Sequence, residues 1–188
     1  DEIHYSKQIP QELMNRSSVR QILSTKDTES VYPDIPENKF RGICFDTGAA
    51  KRVGGLPQFR EYLKVVRVPS PILQRNKRSF KFGDQVVRSI GTARIRLPVD
   101  SLGNFLEYFS EIIPLDVPLL FGLDMQKKFG VSIDTKNNRA FTETWNVLLV
   151  YKNGHLYREI RESSILYSEH ELLTLHKKIW ASKQLKVV

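Results

Sequence analysis

An apolar segment that ends in a small acidic turn is the feature that most constrains this chain. Asp46, Thr47, Gly48 and Ala49 directly follow the strand-like residues 43–45. A carboxylate in this position stands at the end of a rigid strand, and the residues after it are small enough for a second such loop to approach. An ordinary surface turn also favours Asp and Gly, but it does not need the apolar approach.

The chemistry available to such a loop depends on a pair of carboxylates. Two carboxylates a few ångströms apart cannot both be ionised, so they share one proton. One member of the pair can then activate a water molecule while the other protonates the amide that leaves. The loop therefore predicts one half of an acid–base site, with Asp46 as the carboxylate.

The chain contains no second copy of this acidic turn. The nearest match is Asp134-Thr135-Lys136, where Lys replaces the Gly that permits close approach, and no other Asp precedes Thr-Gly or Ser-Gly. A chain of 188 residues is also sized for one ordinary domain plus extensions. We therefore expect a second copy of the chain to supply the partner carboxylate, with the site on the two-fold axis of a homodimer.

Residues 37–140 contain three motifs in the order in which they occur in a known protein family. The first is the acidic turn 46–49, and the second comprises segments 79–84 and 87–92, which look like a flap. The third is the apolar segment 117–124, Val-Pro-Leu-Leu-Phe-Gly-Leu-Asp, which in the family lies behind the active site. Together they resemble the retropepsin-like aspartic proteases, most closely those encoded in the polyproteins of copia-class retrotransposons.

The resemblance implies a fold, an activity and a set of site residues. The fold would be mainly all-β, a small closed retropepsin-like barrel with a flap hairpin and one short helix, and the enzyme would be a homodimeric endopeptidase that cleaves its own polyprotein without a cofactor or metal. It would work in the cytoplasm, associated with virus-like particles. The catalytic residues carried over are Asp46, Thr47 and Gly48, and the substrate-binding residues are Ala49, Ala50, Phe82, Gly83 and Asp84.

The residue pattern predicts β structure independently of the family. Residues 78–82 and 85–90 flank Gly83-Asp84, which suits a two-residue hairpin turn. Alternation over Thr92–Leu97 predicts a half-buried strand, with Arg94 and Arg96 on the polar face. Further strands are predicted at 104–113, 117–121 and 131–133. A short helix is predicted over 124–129, ended by Gly130.

The C-terminal part is predicted to form a hairpin followed by a helix. Residues 145–151 and 156–160 are joined across Asn153-Gly154, the strongest short hairpin signal, and this hairpin must pack on the barrel, on its dimer mate or on both. Ser168 and Glu171 form a capping box for a helix that runs to about Trp180. We therefore expect a protease domain over 37–140, a hairpin over 141–163 and a helical tail over 164–188.

The helical tail resembles the start of the pre-integrase segment that follows the protease in copia-class polyproteins. That segment opens a His-His-Cys-Cys zinc site, but here no second His and no Cys pair follow His176. Zinc needs about four ligands, and the remaining histidines are scattered, so we expect no metal. The candidate zinc ligands of the whole chain are His4, His155, His170, His176 and Cys44.

The N-terminal residues 1–36 are expected to be an extension or linker. Leu13, Met14, Ile22 and Leu23 could lie on one amphipathic helix, with Pro10 at its first position. A polar stretch that contains prolines follows. The segment could be linker from a preceding polyprotein region, or it could wrap the dimer.

Charge and cysteine content limit the remaining possibilities. The formal net charge is +8, and residues 39–88 hold twelve Lys and Arg against three acidic residues. This surface could hold the protein near RNA, or it could simply be a solvated face. No apolar run reaches the length needed to span a bilayer, and the single Cys44, expected to be buried and inert, fits an intracellular protein without disulfides.

Two other functions remain open from the sequence. The chain could be an inactive or domesticated retropepsin-like module that dimerises or binds nucleic acid, because flanking segments could block the cleft. It could also be a cellular retropepsin-like protease that acts on ubiquitin-linked substrates. The intact Asp46-Thr47-Gly48 turn argues against the first alternative, and the copia-like flanking segments argue against the second.

Overall fold

The computed structural model describes residues 2–4, 39–40, 42–68, 71, 73–76, 78–82, 85–152, 154–161, 164 and 166–184. The predicted N-terminal helix and the turn residues Gly83 and Asp84 lie outside the described residues. The strands are β1 (Glu2–His4), β2 (Ile43–Asp46), β3 (Val53–Gly55), β4 (Ser79–Phe82), β5 (Gln85–Arg88), β6 (Gly91–Pro98), β7 (Phe105–Ile113), β8 (Leu119–Gly122), β9 (Ser132–Asp134), β10 (Arg139–Phe141), β11 (Asn146–Leu148), β12 (Val150–Lys152) and β13 (His155–Arg158). The helices are α1 (Leu56–Val65), α2 (Leu123–Phe129) and α3 (Glu169–Gln184).

The fold is mainly β, as the sequence predicts. The strands of the described residues form four sheets, with the orders β1-β4-β5, β11-β10-β9, β12-β13-β2-β8 and β3-β7-β6. No sheet closes on itself within this part of the chain, so the closed barrel stays a prediction.

Strand β2 lies inside the four-stranded sheet and carries the acidic turn at its end. It pairs in parallel with β8, so that Asp46 lies opposite Gly122, and antiparallel with β13, so that Cys44 lies opposite Tyr157. All four residues of β2 and of β8 are buried, which explains why neither sequence alternates between polar and apolar residues. The C-terminal hairpin β12–β13 therefore packs directly on the strand that ends at Asp46.

A second sheet, β3-β7-β6, lies next to the residues that follow the acidic turn. Strand β3 pairs in parallel with β7, and β6 pairs antiparallel with β7 over its whole length. Ala93, Ile95 and Leu97 of β6 are buried, as the alternation predicts. Arg96 lies on the opposite face, as predicted, but its side chain is buried there under Tyr167 and Phe105, with the guanidinium 4.3 Å from each ring centre.

Helix α1 is an element that the sequence analysis did not predict. Pro57 lies in its first turn, where the missing N–H costs nothing, and the helix buries one face that includes Phe59, Tyr62 and Leu63. It follows β3 without a loop, so a short strand and a helix share one apolar stretch. Arg67, with φ of 59°, ends the helical segment.

The predicted helices α2 and α3 are confirmed, and so is the antiparallel pairing of strands in both predicted hairpins. The first strand of the C-terminal hairpin is shorter than predicted, because residues 145–151 are divided between β11, which pairs with β10, and β12, which pairs with β13. Gly130 ends α2 in the left-handed conformation, with φ of 63°. Glu171 donates its backbone N–H to the Ser168 hydroxyl at 3.2 Å, as a capping box requires. Phe82 pairs with Gln85 across the two residues between β4 and β5.

Candidate active site

Asp46 is a buried carboxylate at the carboxyl end of β2. Only 7% of the residue is exposed, and its Oδ1 accepts a hydrogen bond of 2.8 Å from the backbone N–H of Gly48. The backbone N–H of Ala49 also donates to the carbonyl oxygen of Asp46, at 3.3 Å. The turn therefore holds one carboxylate oxygen in a fixed position by a short local bond.

The residues after Asp46 rest against the end of β8. The backbone N–H of Leu123 donates to the carbonyl oxygen of Ala49 at 2.8 Å. A Cβ atom on Gly122 would lie 2.7 Å from the carbonyl oxygen of Lys51 and 2.9 Å from that of Ala49. Gly122 is therefore required for close approach, because any side chain there would push the acidic loop away.

An ion pair fixes the far end of the same loop. Arg52 Nη1 donates to Asp124 Oδ2 at 2.7 Å, and both side chains are mostly buried. The other carboxylate oxygen of Asp124 accepts the N–H of Met125 at 2.9 Å, in the first turn of α2. The loop 46–52 is thus attached to β8 by backbone contacts and to α2 by a charge-assisted hydrogen bond.

Aromatic side chains of β2, β8 and β7 pack against one another. Phe45 and Phe121, which are neighbours in the parallel ladder, have ring centres 4.9 Å apart, and Phe121 also meets Tyr108 edge to face at 5.1 Å. Gln126 of α2 donates to the carbonyl oxygen of Phe121 at 2.9 Å. These contacts make the strand end that carries Asp46 a rigid platform.

Cys44 is buried in β2, two residues before Asp46, as predicted. It is fully buried, and burial, followed by the negative charge of Asp46, raises the pKa of the thiol far above its ordinary value, with partial opposition from a hydrogen bond with Tyr157. A thiol held neutral in this way is not a nucleophile. Of these two neighbouring groups, Asp46 is therefore the candidate for acid–base chemistry.

An open cavity of about 880 Å³ adjoins the acidic turn. Asp46, Thr47 and Gly48 form one side of it, and the remaining sides come from α2, β9 and the tip of the β12–β13 hairpin. The site residues Ala49 and Ala50 do not line it, because Ala49 is buried in the apolar cluster behind the turn and Ala50 faces outward. Among the described residues that line this cavity, Asp46 is the single carboxylate.

The near-matching Asp134 does not supply a second acidic group at the site. Its Oδ1 accepts the N–H groups of Lys136 and Asn137, at 3.0 and 3.1 Å, in an exposed turn. The Asn137 side-chain amide lowers the pKa of this carboxyl by a hydrogen bond of 2.7 Å. Asp134 therefore has the local role of a turn residue.

The predicted flap is an antiparallel hairpin of β4 and β5, and its base reaches the acidic loop. Phe80 of β4 lies in the same buried apolar cluster as Cys44 and Ala49, and Val87 of β5 packs against that cluster. Phe82 is the last residue of β4. Gly83 and Asp84, the other two flap residues expected to bind substrate, lie outside the described residues.

The histidines do not gather into one site within the described part of the chain. His155 is partly buried and lines the cavity beside Asp46, whereas His170 and His176 are exposed on α3. No group of three or more His, Cys, Asp or Glu side chains suited to hold a metal ion occurs among the residues that the structure describes.

None of the described helices combines the length and apolar character that crossing a membrane requires.

The comparisons with known proteins add no assignment. No protein-family model matches the chain, and no curated protein matches it either. A function therefore has to come from the site. The sequence analysis did not predict the Arg52–Asp124 pair. Its signal in the sequence is weak: Asp124 directly follows the apolar residues 117–123, and Arg52 is the second of two basic residues after the small residues 48–50.

Proposed function

We propose that the protein is an aspartic endopeptidase of the retropepsin type, active as a homodimer with one Asp46 from each protomer. One observation carries the proposal: a buried carboxylate at the end of a rigid strand accepts a 2.8 Å hydrogen bond from Gly48 and borders an open cavity. The sequence holds a single Asp-Thr-Gly turn, which supports the requirement for a second copy.

In the proposed reaction, the two Asp46 side chains share one proton and bind one water molecule between them. The ionised carboxylate takes a proton from the water as its oxygen attacks the peptide carbonyl carbon. The other carboxyl gives its proton to the carbonyl oxygen, which forms a tetrahedral intermediate with two hydroxyl groups. The carboxyl that took a proton from water then gives it to the amide nitrogen as the C–N bond breaks, and the other carboxylate takes one proton back from a hydroxyl of the intermediate. A free carboxyl group and a free amine result, and the pair again holds one proton.

The neighbours of Asp46 suit roles at an interface between two copies. Thr47 is exposed, so it is available to brace one acidic turn against the other across the two-fold axis. Gly48 leaves room for a substrate backbone beside the carboxylate. Ala49, buried behind the turn, supports its shape. Ala50 is exposed outside the cavity, so it could contact only the part of a peptide that extends beyond it.

The retropepsin fold is part of the same proposal. Three features support it: the parallel pairing of β2 with β8, the β4–β5 hairpin, and Gly122 behind the acidic loop. The acidic turn, the hairpin and Gly122 follow one another along the chain in the order that the family resemblance requires. We infer that the sheets belong to a small barrel, and that Phe82, Gly83 and Asp84 close over the bound peptide.

The resemblance to copia-class retrotransposon proteases suggests the substrate and its setting. The substrate would be an extended segment of the polyprotein in which the protease is embedded, and cleavage would take place in the cytoplasm within virus-like particles. The high net charge of +8 would favour retention near packaged RNA.

The decisive experiment compares Asp46→Asn with Asp134→Asn in the full chain. Both variants change an Asp-Thr dipeptide in the same way, but Asp134 lies in an exposed turn. Asp46→Asn should abolish cleavage of a panel of peptides, with unchanged circular dichroism and unchanged sedimentation. Asp134→Asn should cleave at the wild-type rate.

Two outcomes would contradict the proposal. Wild-type activity in Asp46→Asn would show that another group performs the reaction. No cleavage by the wild-type protein between pH 3 and 8, together with salt-sensitive retention on RNA, would instead favour an inactive nucleic-acid-binding module.

A further inference from the structure

Glu111 is a buried carboxylate that the proposed reaction does not use. It lies in β7, opposite Thr92 of β6 and Val53 of β3, and only 4% of the residue is exposed. Burying a carboxylate is unfavourable unless hydrogen-bond donors replace the lost water. The identity of those donors therefore indicates what this residue holds in place.

Four side chains donate to the two oxygens of Glu111. Oε2 accepts from Asn76 at 2.5 Å and from Ser89 at 2.9 Å. Oε1 accepts from Thr92 at 3.2 Å and from Arg78 at 3.3 Å. Except for Thr92, these donors do not belong to the sheet that contains Glu111, so the carboxylate joins separate parts of the chain.

Two of the donors flank the β4–β5 hairpin at its base. Arg78 immediately precedes β4 and Ser89 immediately follows β5, and the Ser89 N–H donates to the Arg78 carbonyl oxygen at 2.8 Å. Asn76 also accepts the N–H of Arg78, at 3.1 Å. The Glu111 carboxylate is therefore hydrogen-bonded both to the residue before β4 and to the residue after β5.

The Ser89 hydroxyl has a single proton and three acceptors within reach. Glu111 Oε2 is the nearest, at 2.9 Å, and the carbonyl oxygens of Gly91 and Ile112 lie at 3.1 and 3.3 Å. A carboxylate is the strongest of these acceptors. The hydroxyl in turn accepts the N–H of Gly91 at 3.1 Å, which fixes its orientation.

The same part of β7 also contacts the acidic loop. The backbone N–H of Glu111 donates to the carbonyl oxygen of Arg52 at 3.3 Å, and Arg52 is the residue that pairs with Asp124. Phe80, near the base of the hairpin, shares a buried cluster with Ala49. Glu111 thus lies between the hairpin and the loop that carries Asp46.

We propose that Glu111 is a positioning residue that fixes the base of the β4–β5 hairpin relative to the Asp46 loop and so sets how the hairpin closes over a peptide. This inference rests on the proposed function only for the identity of what the hairpin covers. The anchoring itself is a property of the folded chain. Loss of the carboxylate should loosen both ends of the hairpin together.

The test compares Glu111→Gln with Glu107→Gln. Glu107 lies on the same strand and pairs with Arg94 and Arg96, but not with the hairpin. In Glu111→Gln, amide hydrogen exchange in β4 and β5 should accelerate about tenfold, while exchange in α1 stays unchanged. In Glu107→Gln, exchange in the hairpin should match that of the wild type.

Enzyme kinetics give a second measurement on the same variants. Glu111→Gln should raise KM for a peptide substrate with a smaller change in kcat, because the cover closes less often while the carboxylate pair is intact. Ser89→Ala and Arg78→Gln, which each remove one donor, should show smaller changes in the same direction. These two variants keep the test valid if Glu111→Gln does not fold.

The outcomes separate this inference from the proposed function. Hydrogen exchange can be measured in the inactive Asp46→Asn protein, so a failure of the protease assignment would leave the anchoring test intact. If the wild type cleaves peptides but none of the three variants changes hairpin exchange or KM, the role of Glu111 is refuted and the proposed function stands.

Discussion

Arg52 and Asp124 join the end of the acidic loop to the start of α2 through a hydrogen bond of 2.7 Å. The two residues are separated by 72 positions in the sequence, so this bond closes the loop 46–52 against the element that follows β8. With 28% of the Arg52 side chain and 14% of the Asp124 side chain exposed, solvent only partly screens the pair. The position of Asp46 therefore depends on a contact six residues away.

Breaking the Arg52–Asp124 pair should lower both activity and stability. We expect Arg52→Met to reduce stability by about 1–2 kcal/mol, because it leaves a partly buried carboxylate without its cation, and to reduce kcat/KM about tenfold through misplacement of the loop. A double-mutant cycle with Asp124→Asn measures the coupling. Lys64→Met is the control, since it also takes the cation from a mostly buried carboxylate, that of Glu61, but within α1 and not in the acidic loop.

Gly122→Ala should damage the active site by steric pressure alone. The added methyl group would lie within 3.0 Å of two carbonyl oxygens of the acidic loop, so either the loop or β8 must move. We expect a loss of about 1–3 kcal/mol in unfolding free energy and a large fall in kcat. Thermal denaturation and peptide cleavage measure the two effects.

Gly130→Ala is the matched control at the other end of α2. No atom lies within 4 Å of the position that its Cβ would occupy, and its cost arises only from the positive φ of 63°. We expect a loss of about 1 kcal/mol in stability. The fall in kcat should be much smaller than in Gly122→Ala because, although Gly130 lines the cavity, its added methyl group meets no atom of the acidic loop. Equal losses of kcat in the two variants would contradict the role assigned to Gly122.

Much of the secondary structure, and the position of Asp46 at the end of a buried strand, could be predicted from local sequence signals. The acidic turn, the β4–β5 hairpin and α2 with Gly130 each depend on a few adjacent residues. Helix α1, which was not predicted, has no such signal over most of its length. Its apolar residues continue directly from β3, so a change from strand to helix occurs without a polar break, and Pro57 is the main local sign.

The supporting contacts of the site were beyond prediction because they join distant segments. The partners of Glu111 lie 19 to 35 residues away, and Asp124 lies 72 residues from Arg52. Alternation correctly assigned Arg96 to one face of β6, but it could not reveal that Tyr167 and α3 cover that face. Tertiary packing decides such cases.

Cys44 should be unreactive in the folded protein at alkaline pH. Its raised pKa means that the native thiol stays neutral where an unfolded thiol, with a value near 9.0, ionises. The contribution to stability is therefore complete below pH 9.0 and is lost as the pH rises further. Alkylation at pH 9 should be slow in buffer and fast in denaturant, and rapid native alkylation would contradict the buried position.

Acid should loosen α3 from the rest of the protein. Arg96 contacts Glu171 at 2.7 Å, and this hydrogen bond lowers the pKa of the Glu171 carboxyl below its ordinary value of 4.5. The stabilising contact is complete above pH 4.5 and is lost as the pH falls through the lowered value. Hydrogen exchange in α3 should therefore accelerate below pH 4 relative to α1, and Glu171→Gln should remove this pH dependence.

Mixing active and inactive chains tests whether two protomers share one site. If each active site needs Asp46 from both chains, a heterodimer of wild type and Asp46→Asn is inactive, and activity follows the square of the wild-type fraction. An equal mixture at fixed total concentration, left to exchange subunits, should then keep about one quarter of the wild-type activity. A monomeric enzyme would keep about half of it, because activity would then follow the wild-type fraction linearly. The same mixture with Asp134→Asn should retain full activity, since that residue lies outside the shared site.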